Sequence, residues 1–443
     1  MNIVLSTYNF YPSHRGGTEV YTKAFAYFLI SRGHKVLVIA ADDSKKPDPV
    51  QVIFNSDEIR AISYSYERIE VIGIYQKRQS PDDIYLNKKE VWTDDFKKIL
   101  LLTGWNKTDV LILNGFNTVS GISLIEAVLY FNSTAKISVI VHTPFICPKA
   151  DMIYSRKYKR CDVIMSPEIC GACITKEKTN LPFLFSYAFQ LFQKYIPVGK
   201  LIKITGFRLQ ELLSKKFNAF AMLNKSVSKW IVFSFEMKNF LSNQSFITSS
   251  KIGVIRHGID KTIFFNNATL KQNERITFLY SGRFEEIKGI KVLCDAWLDL
   301  EDLPDIRQLY LAGNWNATEL GKIIVDQLSE RKDVIIKGSL PQEELVDLYR
   351  KTHCVIIPST GVETGPMVYH EAIACGCDII TSDVGGQLEL CMVYKDKSFV
   401  FENKNKKSLT KIIKQYTPTT TTSANFPMSF SEHFDYLSKE LCL

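Results

Sequence analysis

Between Ile276 and Ser382 the chain alternates short apolar runs with longer amphipathic stretches, and this alternation constrains the fold more than any other feature. Ile276–Tyr280, Leu309–Ala312, Val334–Lys337, Cys354–Ile357 and Asp378–Ser382 read as buried strands. The stretches between them, Lys291–Leu298, Thr318–Glu330, Gln342–Arg350 and Pro366–Cys375, read as helices. Strands separated by helices cannot close as hairpins. They pair in parallel through crossovers, which makes a doubly wound α/β sheet. The first half repeats the pattern, with strands at Ile3–Ser6, Lys35–Ala40, Val110–Leu113, Ile137–Val141 and Trp230–Ser234 and a helix at Glu19–Ser31. At 443 residues the chain exceeds what one hydrophobic core usually serves. The expected α/β architecture is therefore two Rossmann-like domains with parallel sheets facing across a cleft. Their expected bounds are residues 1–260 and 261–428, followed by a C-terminal helix within 429–443 that packs back on the first domain. His257-Gly258-Ile259-Asp260 and the polar stretch Asn266–Glu274 read as the linker.

Hydrophobic residues at 46% and charged residues at 23% fit a globular enzyme and exclude a disordered chain. A formal net charge of +8 suits anionic substrates or a membrane surface, but without a dense basic block nucleic acid is not an expected partner. Met1–Thr7 reads as a strand and not as a secretory signal. No apolar run is long enough for a membrane span. Ten cysteines without an export signal point to reduced thiols and a cytoplasmic setting.

In parallel sheets ligands bind beyond the carboxyl ends of the strands, so the loops there hold the candidate site. After Cys354–Ile357 comes a glycine-bearing loop with Glu363, then a helix opening at Gly365-Pro366, where proline suits a first turn. The amides of Gly365, Pro366's neighbours Met367 and Val368, and the helix start form an anion site. Glu363 stands at its mouth and Glu371 further along the helix. Phosphate-binding amides flanked by acceptors for sugar hydroxyls suit a nucleotide-sugar; a helix whose acidic start merely complements its dipole is the plainer alternative. One strand away, Ser281–Gly289 carries Arg283, a planar fork for phosphate oxygens, and Lys288, a mobile point charge. Asp383-Val384-Gly385-Gly386 with Glu389 reads as an ordinary βα turn on that edge. Asp82-Asp83 and Asp94-Asp95 lie in poorly patterned stretches and read as solvated.

Taken together, Gly282-Arg283 with Lys288-Gly289, Glu363-x7-Glu371 and Asp383-x-Gly385-Gly386-x-x-Glu389 resemble the retaining glycosyltransferases of family 4, which have the GT-B fold. The Gly16-Gly17 loop and the His257–Asp260 junction extend the resemblance over most of the chain. It implies transfer of a hexosyl or related group from a UDP- or GDP-sugar to a glycan or lipid-linked glycan acceptor, as in cell-surface polysaccharide or lipopolysaccharide synthesis, at the cytoplasmic face of a membrane. Arg283 and Lys288 would hold the diphosphate, Glu363 and the amides of Gly365–Val368 the sugar and distal phosphate, and Glu371 the ribose. Gly16 and Gly17 would approach the same phosphates from the other domain, although a tight turn also explains the pair. His142, at the end of Ile137–Val141, would lie beside the donor sugar; Thr143 after it departs from the family's acidic or amide residue. No catalytic metal is implied, since fixed cations and helix amides stabilise the leaving diphosphate.

Two segments depart from the alternation. Cys147, Cys161, Cys170 and Cys173 fall in one insertion, residues 147–173, of a kind found in a subset of that family. The Cys170-x-x-Cys173 spacing is that of a metal knuckle, so the four thiols read either as a structural zinc site or as reduced thiols packed locally. The aromatic stretch Leu181–Val198, within a helical segment 181–216, reads as core packing or, with Lys200, Lys203, Lys215 and Lys216, as a seat on a membrane surface. The other six cysteines read as small core residues. A nucleotide-sugar epimerase and a catalytically silent sugar-nucleotide-binding subunit remain alternatives. A nicotinamide dehydrogenase does not fit, because the first βα turn lacks Gly-x-Gly-x-x-Gly.

Overall fold

The computed structural model describes the chain except residues 13–15, 42–49, 77–88, 116–120, 150, 155–158, 180–181, 193–206, 267–274, 301–305 and 420–425. Asp82-Asp83, Lys200, Lys203 and most of the expected linker lie outside the described residues. The chain divides into two compact units. The first holds Met1–Val232, Lys238–Val254 and Leu437–Leu443; the second holds Phe233–Met237 and Ile255–Tyr436.

Strands of the first unit are β1 (Asn2–Ser6), β2 (Lys35–Ala41), β3 (Gln51–Asn55), β4 (Ile59–Tyr66), β5 (Ile69–Gln76), β6 (Val110–Asn114), β7 (Lys136–Ile140), β8 (Ile153–Tyr154), β9 (Lys159–Arg160), β10 (Lys229–Val232) and β11 (Ile252–Val254). Its helices are α1 (Gly17–Ser31), α2 (Lys89–Leu102), α3 (Ile122–Phe131), α4 (Pro167–Thr179), α5 (Phe183–Phe192) and α6 (Phe207–Ser226); α7 (Phe235–Ser242) is shared between the units. The main sheet runs β11-β10-β7-β6-β1-β2-β5-β4-β3. Pairing is parallel except around β4, which is antiparallel to both neighbours. The β3–β5 meander departs from the expected pure alternation. Its second turn is only Glu67-Arg68, with Glu67 at φ 53, and carries none of the glycine or asparagine that usually announces a hairpin. Strand β10 stops at Val232, two residues short of the expected Ser234, because Phe233 and Ser234 turn into the start of α7. The apolar residues of β1, β6, β7 and β10 are almost wholly buried, as expected for strands covered on both faces.

The second unit contains β12 (Ile276–Ser281), β13 (Arg307–Ala312), β14 (Val334–Gly338), β15 (Cys354–Ile357), β16 (Asp378–Ser382) and β17 (Ser398–Phe401), in the order β14-β13-β12-β15-β16-β17 and parallel throughout. Helices α8 (Ile290–Leu298), α9 (Glu319–Leu328), α10 (Gln342–Lys351), α11 (Met367–Ala374), α12 (Gly385–Val393) and α13 (Lys406–Gln415) alternate with them, and α14 (Phe430–Leu441) is shared with the first unit. One face packs around Phe278, Trp297 and Tyr416, the other around Tyr349, Tyr369 and Ile379. Strand order reverses between β12 and β15. A doubly wound sheet opens its ligand crevice at such a switch point. The first unit's sheet reverses likewise between β1 and β6.

Several expectations need correction. Asp95 is not solvated: it is buried in α2 and accepts a hydrogen bond from Ser56 Oγ at 2.6 Å, while Asp94 is the exposed partner of Lys97. The junction at His257–Asp260 is packed structure, because Ile259 pairs in parallel with Ser429 and a Cβ on Gly258 would lie 2.6 Å from the Ser429 carbonyl oxygen. Lys216 is buried against the Phe220 ring and so is not offered to a membrane, whereas Lys215 stays partly exposed in a surface pair with Glu211. Phe183 packs with Ala172 and Cys173, whereas Leu184 and Phe185 on the same helix are exposed. Cys442 is exposed, in contrast to the buried Cys294, Cys354, Cys375, Cys377 and Cys391.

Candidate functional site

The second unit brings Lys288 and Glu363 together although 75 residues separate them. Both lie just past the carboxyl ends of β12 and β15, on either side of the switch point. A 3-10 turn, Glu286–Lys288, is stitched to the loop after β15: Thr360 donates its N–H to the Ile287 carbonyl at 2.9 Å and its hydroxyl to the Glu286 carbonyl at 3.0 Å. Gly289 then passes so close beneath Pro358 that a Cβ there would lie 1.7 Å from the Pro358 carbonyl oxygen. This contact and its φ of 69° both demand glycine. Lys288 Nζ consequently stands 2.7 Å from Glu363 Oε1, which also accepts the Ser359 hydroxyl at 2.7 Å.

Burial by itself would raise the Glu363 carboxyl. Lys288, Ser359 and Arg283 outweigh it and hold the group below the ordinary carboxylate range. Glu363 is thus an anion with a bound ammonium beside it. Arg283 is placed less deeply: its side chain is 68% exposed and pairs with Glu285 at 2.7 Å, so the guanidinium can swing to an incoming anion at little cost.

Helix α11 begins one residue later than expected. Pro366 is its N-cap, with extended ψ of 122°, and Met367 is the first helical residue. Among the described residues the N–H groups of Gly365, Met367 and Val368 have no acceptor. They are the donors an anion would take. Gly365 rests on Phe233 and His257, whose rings stack at 3.5 Å. Gly385 and Gly386 do more than turn the chain into α12. A Cβ on either would lie 2.8 Å from the Glu363 backbone, and Gly386 donates its N–H to the Glu363 carbonyl at 2.7 Å. Glu389, later on α12, caps the start of α7 through the N–H groups of Phe235 and Glu236 and pairs with Arg256. Glu371 accepts the Tyr349 hydroxyl at 3.0 Å, and burial raises its carboxyl to about 7. Sequence reasoning missed Tyr349 and Ser359, since nothing in their neighbours distinguishes a core tyrosine or a loop serine from one aimed at a carboxylate.

In the first unit, Gly16 is the N-cap of α1 and Gly17 its first residue, just beyond β1. The Gly16 N–H donates to Glu19 Oε2 at 2.9 Å, so a carboxylate already sits at this helix start. His142 follows β7, with Nε2 3.3 Å from Asn114 Oδ1 and its ring edge-on to Tyr21 at 4.7 Å. Asn114 in turn donates to Thr22 Oγ1 at 3.0 Å, and Thr22 donates to the Thr18 carbonyl. Asn114, Thr22 and Tyr21 were not visible as site residues from sequence. They reach His142 through the ends of β6 and the second turn of α1, a juxtaposition made only by the sheet.

The four inserted thiols share one neighbourhood in the first unit. Cys170 is pushed above the ordinary thiol range by burial and then by Cys147, Cys161 and Cys173. Cys170 and Cys173 lie on α4, and Cys161 follows the β8–β9 hairpin, donating its N–H to the Met152 carbonyl. All four are unbridged, and among the described residues no three His, Cys, Asp or Glu side chains stand as a ligand set.

Residues 262–425 match the family described as glycosyl transferases group 1. An uncharacterized glycosyltransferase of Methanocaldococcus jannaschii is 22% identical over 88% of this chain and 82% of its own length. The lipopolysaccharide 1,2-N-acetylglucosaminetransferase of Salmonella typhimurium is 31% identical over 26% of this chain and 32% of its own length, so the match spans only about a third of that enzyme. Among solved structures, Anabaena HepE in complex with UDP and glucose superimposes with a TM-score of 0.60 at 15% identity, covering 99% of this chain and 95% of that one. The chain has the fold of the GT-B glycosyltransferases, and its residues 262–425 are similar to the glycosyl transferases of group 1.

Proposed function

We propose that this chain is a retaining glycosyltransferase of family 4 that moves a hexosyl group from a UDP- or GDP-sugar to a glycan or lipid-linked glycan. The observation that carries the reading is the Lys288–Glu363 pair beside the unsatisfied amides of α11, at the sheet's switch point. The UDP and glucose named for the Anabaena structure support a nucleotide-sugar donor. The lipopolysaccharide named for the Salmonella relative supports a lipid-linked glycan acceptor, and the reading places the chain at the cytoplasmic face of a membrane. Among the described residues no helix is long and apolar enough to cross a membrane.

In this reading Lys288 leaves Glu363 for the diphosphate, Arg283 joins it from the exposed side, and the amides of Gly365, Met367 and Val368 take the distal phosphate oxygens. Glu363, freed of Lys288, accepts hydroxyls of the sugar, and Glu371 accepts those of the ribose. In the first unit, the resemblance assigns Gly16 and Gly17 at the start of α1 to phosphate and His142 after β7 to the sugar. The bond from the anomeric carbon to the phosphate oxygen breaks as the acceptor oxygen bonds to the same face. The acceptor's proton passes to a phosphate oxygen, and the anomeric configuration is kept. Cations and amides aimed at the leaving group stabilise charge that is greatest in the transition state. A structural zinc on Cys147, Cys161, Cys170 and Cys173 belongs to the same reading: four neighbouring thiols supply its donor chemistry, and closing on an ion requires them to converge further than they do in the structure.

A thermal-shift panel of nucleotide-sugars, followed by NMR of the product's anomeric proton, tests the proposal. Stabilisation by one donor and retention in the product are expected. Interconversion of the donor without transfer would make the chain an epimerase. Binding without either reaction would make it a silent subunit.

A further inference from the structure

Glu371 is an acid held in an unusual way. It lies on α11 and its Oε2 takes the hydroxyl of Tyr349, a wholly buried residue on α10. The side chain of Ser281, the last residue of β12, acts on the same phenol. Two helices therefore meet at this carboxylate: Tyr349 on α10 donates to Glu371 on α11. Among the described residues Oε1 has no partner within the chain.

A carboxylate accepts two hydroxyls of a vicinal diol well, but only when ionised and held in one rotamer. We propose that Tyr349 is a positioning residue that fixes Glu371 with Oε1 presented to the ribose diol of the nucleotide, and that it makes nucleotide binding depend on the ionisation of Glu371. The inference rests on the donor reading above and adds to it the residue that orients the ribose contact.

The titratable groups acting on this acid are few. Burial raises the Glu371 carboxyl to about 7, and the Tyr349 hydroxyl, its one partner among the described residues, draws it back toward ionisation. Burial and then Glu371 push the Tyr349 phenol up, so it stays protonated and donates. Among the described residues no cation faces Glu371 as Lys288 faces Glu363, so the Tyr349 hydrogen bond is what favours the anion. If only the ionised form accepts the ribose, apparent affinity falls in proportion to the ionised fraction, about tenfold between pH 8 and pH 6. Removing the hydroxyl removes support for the anion, so the midpoint must move to higher pH.

The experiment is isothermal titration of the full-length protein with UDP, GDP and their 2′-deoxy counterparts at intervals from pH 6 to pH 9. The Glu371→Gln variant serves as a reference, which cancels titration of the phosphates themselves. For the wild type, affinity for the tighter ribonucleotide should climb about tenfold with pH relative to Glu371→Gln, and the 2′-deoxy form should lose that climb. Tyr349→Phe keeps the buried ring. It should bind about three- to tenfold more weakly at pH 7 and show its rise at higher pH. A Tyr349→Phe profile superimposable on the wild type would overturn the inference while leaving the donor site standing. Equal binding by Glu371→Gln and wild type at every pH would overturn the ribose contact itself. Failure of the wild type to bind any of the four nucleotides would overturn the donor reading.

Discussion

The close passage of Gly289 beneath Pro358 makes Gly289→Ala the sharpest perturbation of the candidate site. The added Cβ would lie 1.7 Å from the Pro358 carbonyl oxygen. Carbon–oxygen contacts settle at about 3.3 Å or more, so the two backbones must part by roughly 1.5 Å. That opening would stretch both Thr360 hydrogen bonds to the 3-10 turn, now 2.9 and 3.0 Å, past useful range. Alanine at φ 69° costs about 1–2 kcal/mol. Overpacking adds about 1–3 kcal/mol. Two lost hydrogen bonds add about 0.5–1.5 kcal/mol each. The expected loss is therefore about 3–8 kcal/mol, together with separation of Lys288 from Glu363. Gly33→Ala supplies the control, because Gly33 has φ 82° but nothing within 4 Å of its Cβ, so only the conformational cost of about 1–2 kcal/mol remains. Hydrogen exchange read by mass spectrometry suits a chain of two units, since it reports stability segment by segment. Peptides covering Cys354–Ile357 should lose protection in Gly289→Ala far more than peptides covering Asn2–Ser6 do in Gly33→Ala. Equal small losses in the two variants would show that the Pro358 contact yields freely, and the account of how Lys288 meets Glu363 would fail.

Lys288→Ala should lower transfer at least about a hundredfold with the fold intact, and Arg283→Ala should lower it less, because Arg283 is mostly exposed; near-normal turnover in both would remove them from the diphosphate. The Glu363 carboxyl is held below its unfolded value, so its pairing adds stability above about pH 4.5 that is lost as pH falls through the folded value. Lys288→Met should therefore flatten the acid limb of the stability profile, and a calorimetric series with the wild-type slope would contradict this. Asp95→Ala should cost about 0.5–1.5 kcal/mol by removing the Ser56 hydrogen bond, whereas Asp94→Ala should be nearly neutral in denaturant melts. Elemental analysis of protein purified without chelator should find one zinc per chain, lost when Cys170 and Cys173 are both changed to Ser; metal-free, stable protein would reduce the cluster to packed thiols.

Much of the second unit was legible from residues alone. Cys354–Ile357 and Asp378–Ser382 were assigned with their observed bounds, because fully buried strands are short, apolar and punctuated by turn residues on both sides. Arg283, Lys288, Glu363 and Glu371 could be placed on one edge because, in a parallel sheet, every loop after a strand emerges on the same side. The β3–β5 meander escaped, since Glu67 closes its turn in a conformation that its residue type does not advertise. The buried role of Asp95 escaped too, since a carboxylate's burial depends on a serine 39 residues away.

Local chemistry thus determined which segments become strands and helices, and which side chains carry charge to the sheet edge, because propensity, periodicity and turn signals act over a few residues. Tertiary structure decided the rest: that Lys288 grips Glu363, that Tyr349 and not a cation attends Glu371, and that Gly385 and Gly386 press on the Glu363 backbone. Those outcomes depend on strand order and on approaches of a few ångströms between distant segments. No local pattern encodes such distances, because they exist only after the sheet has been assembled.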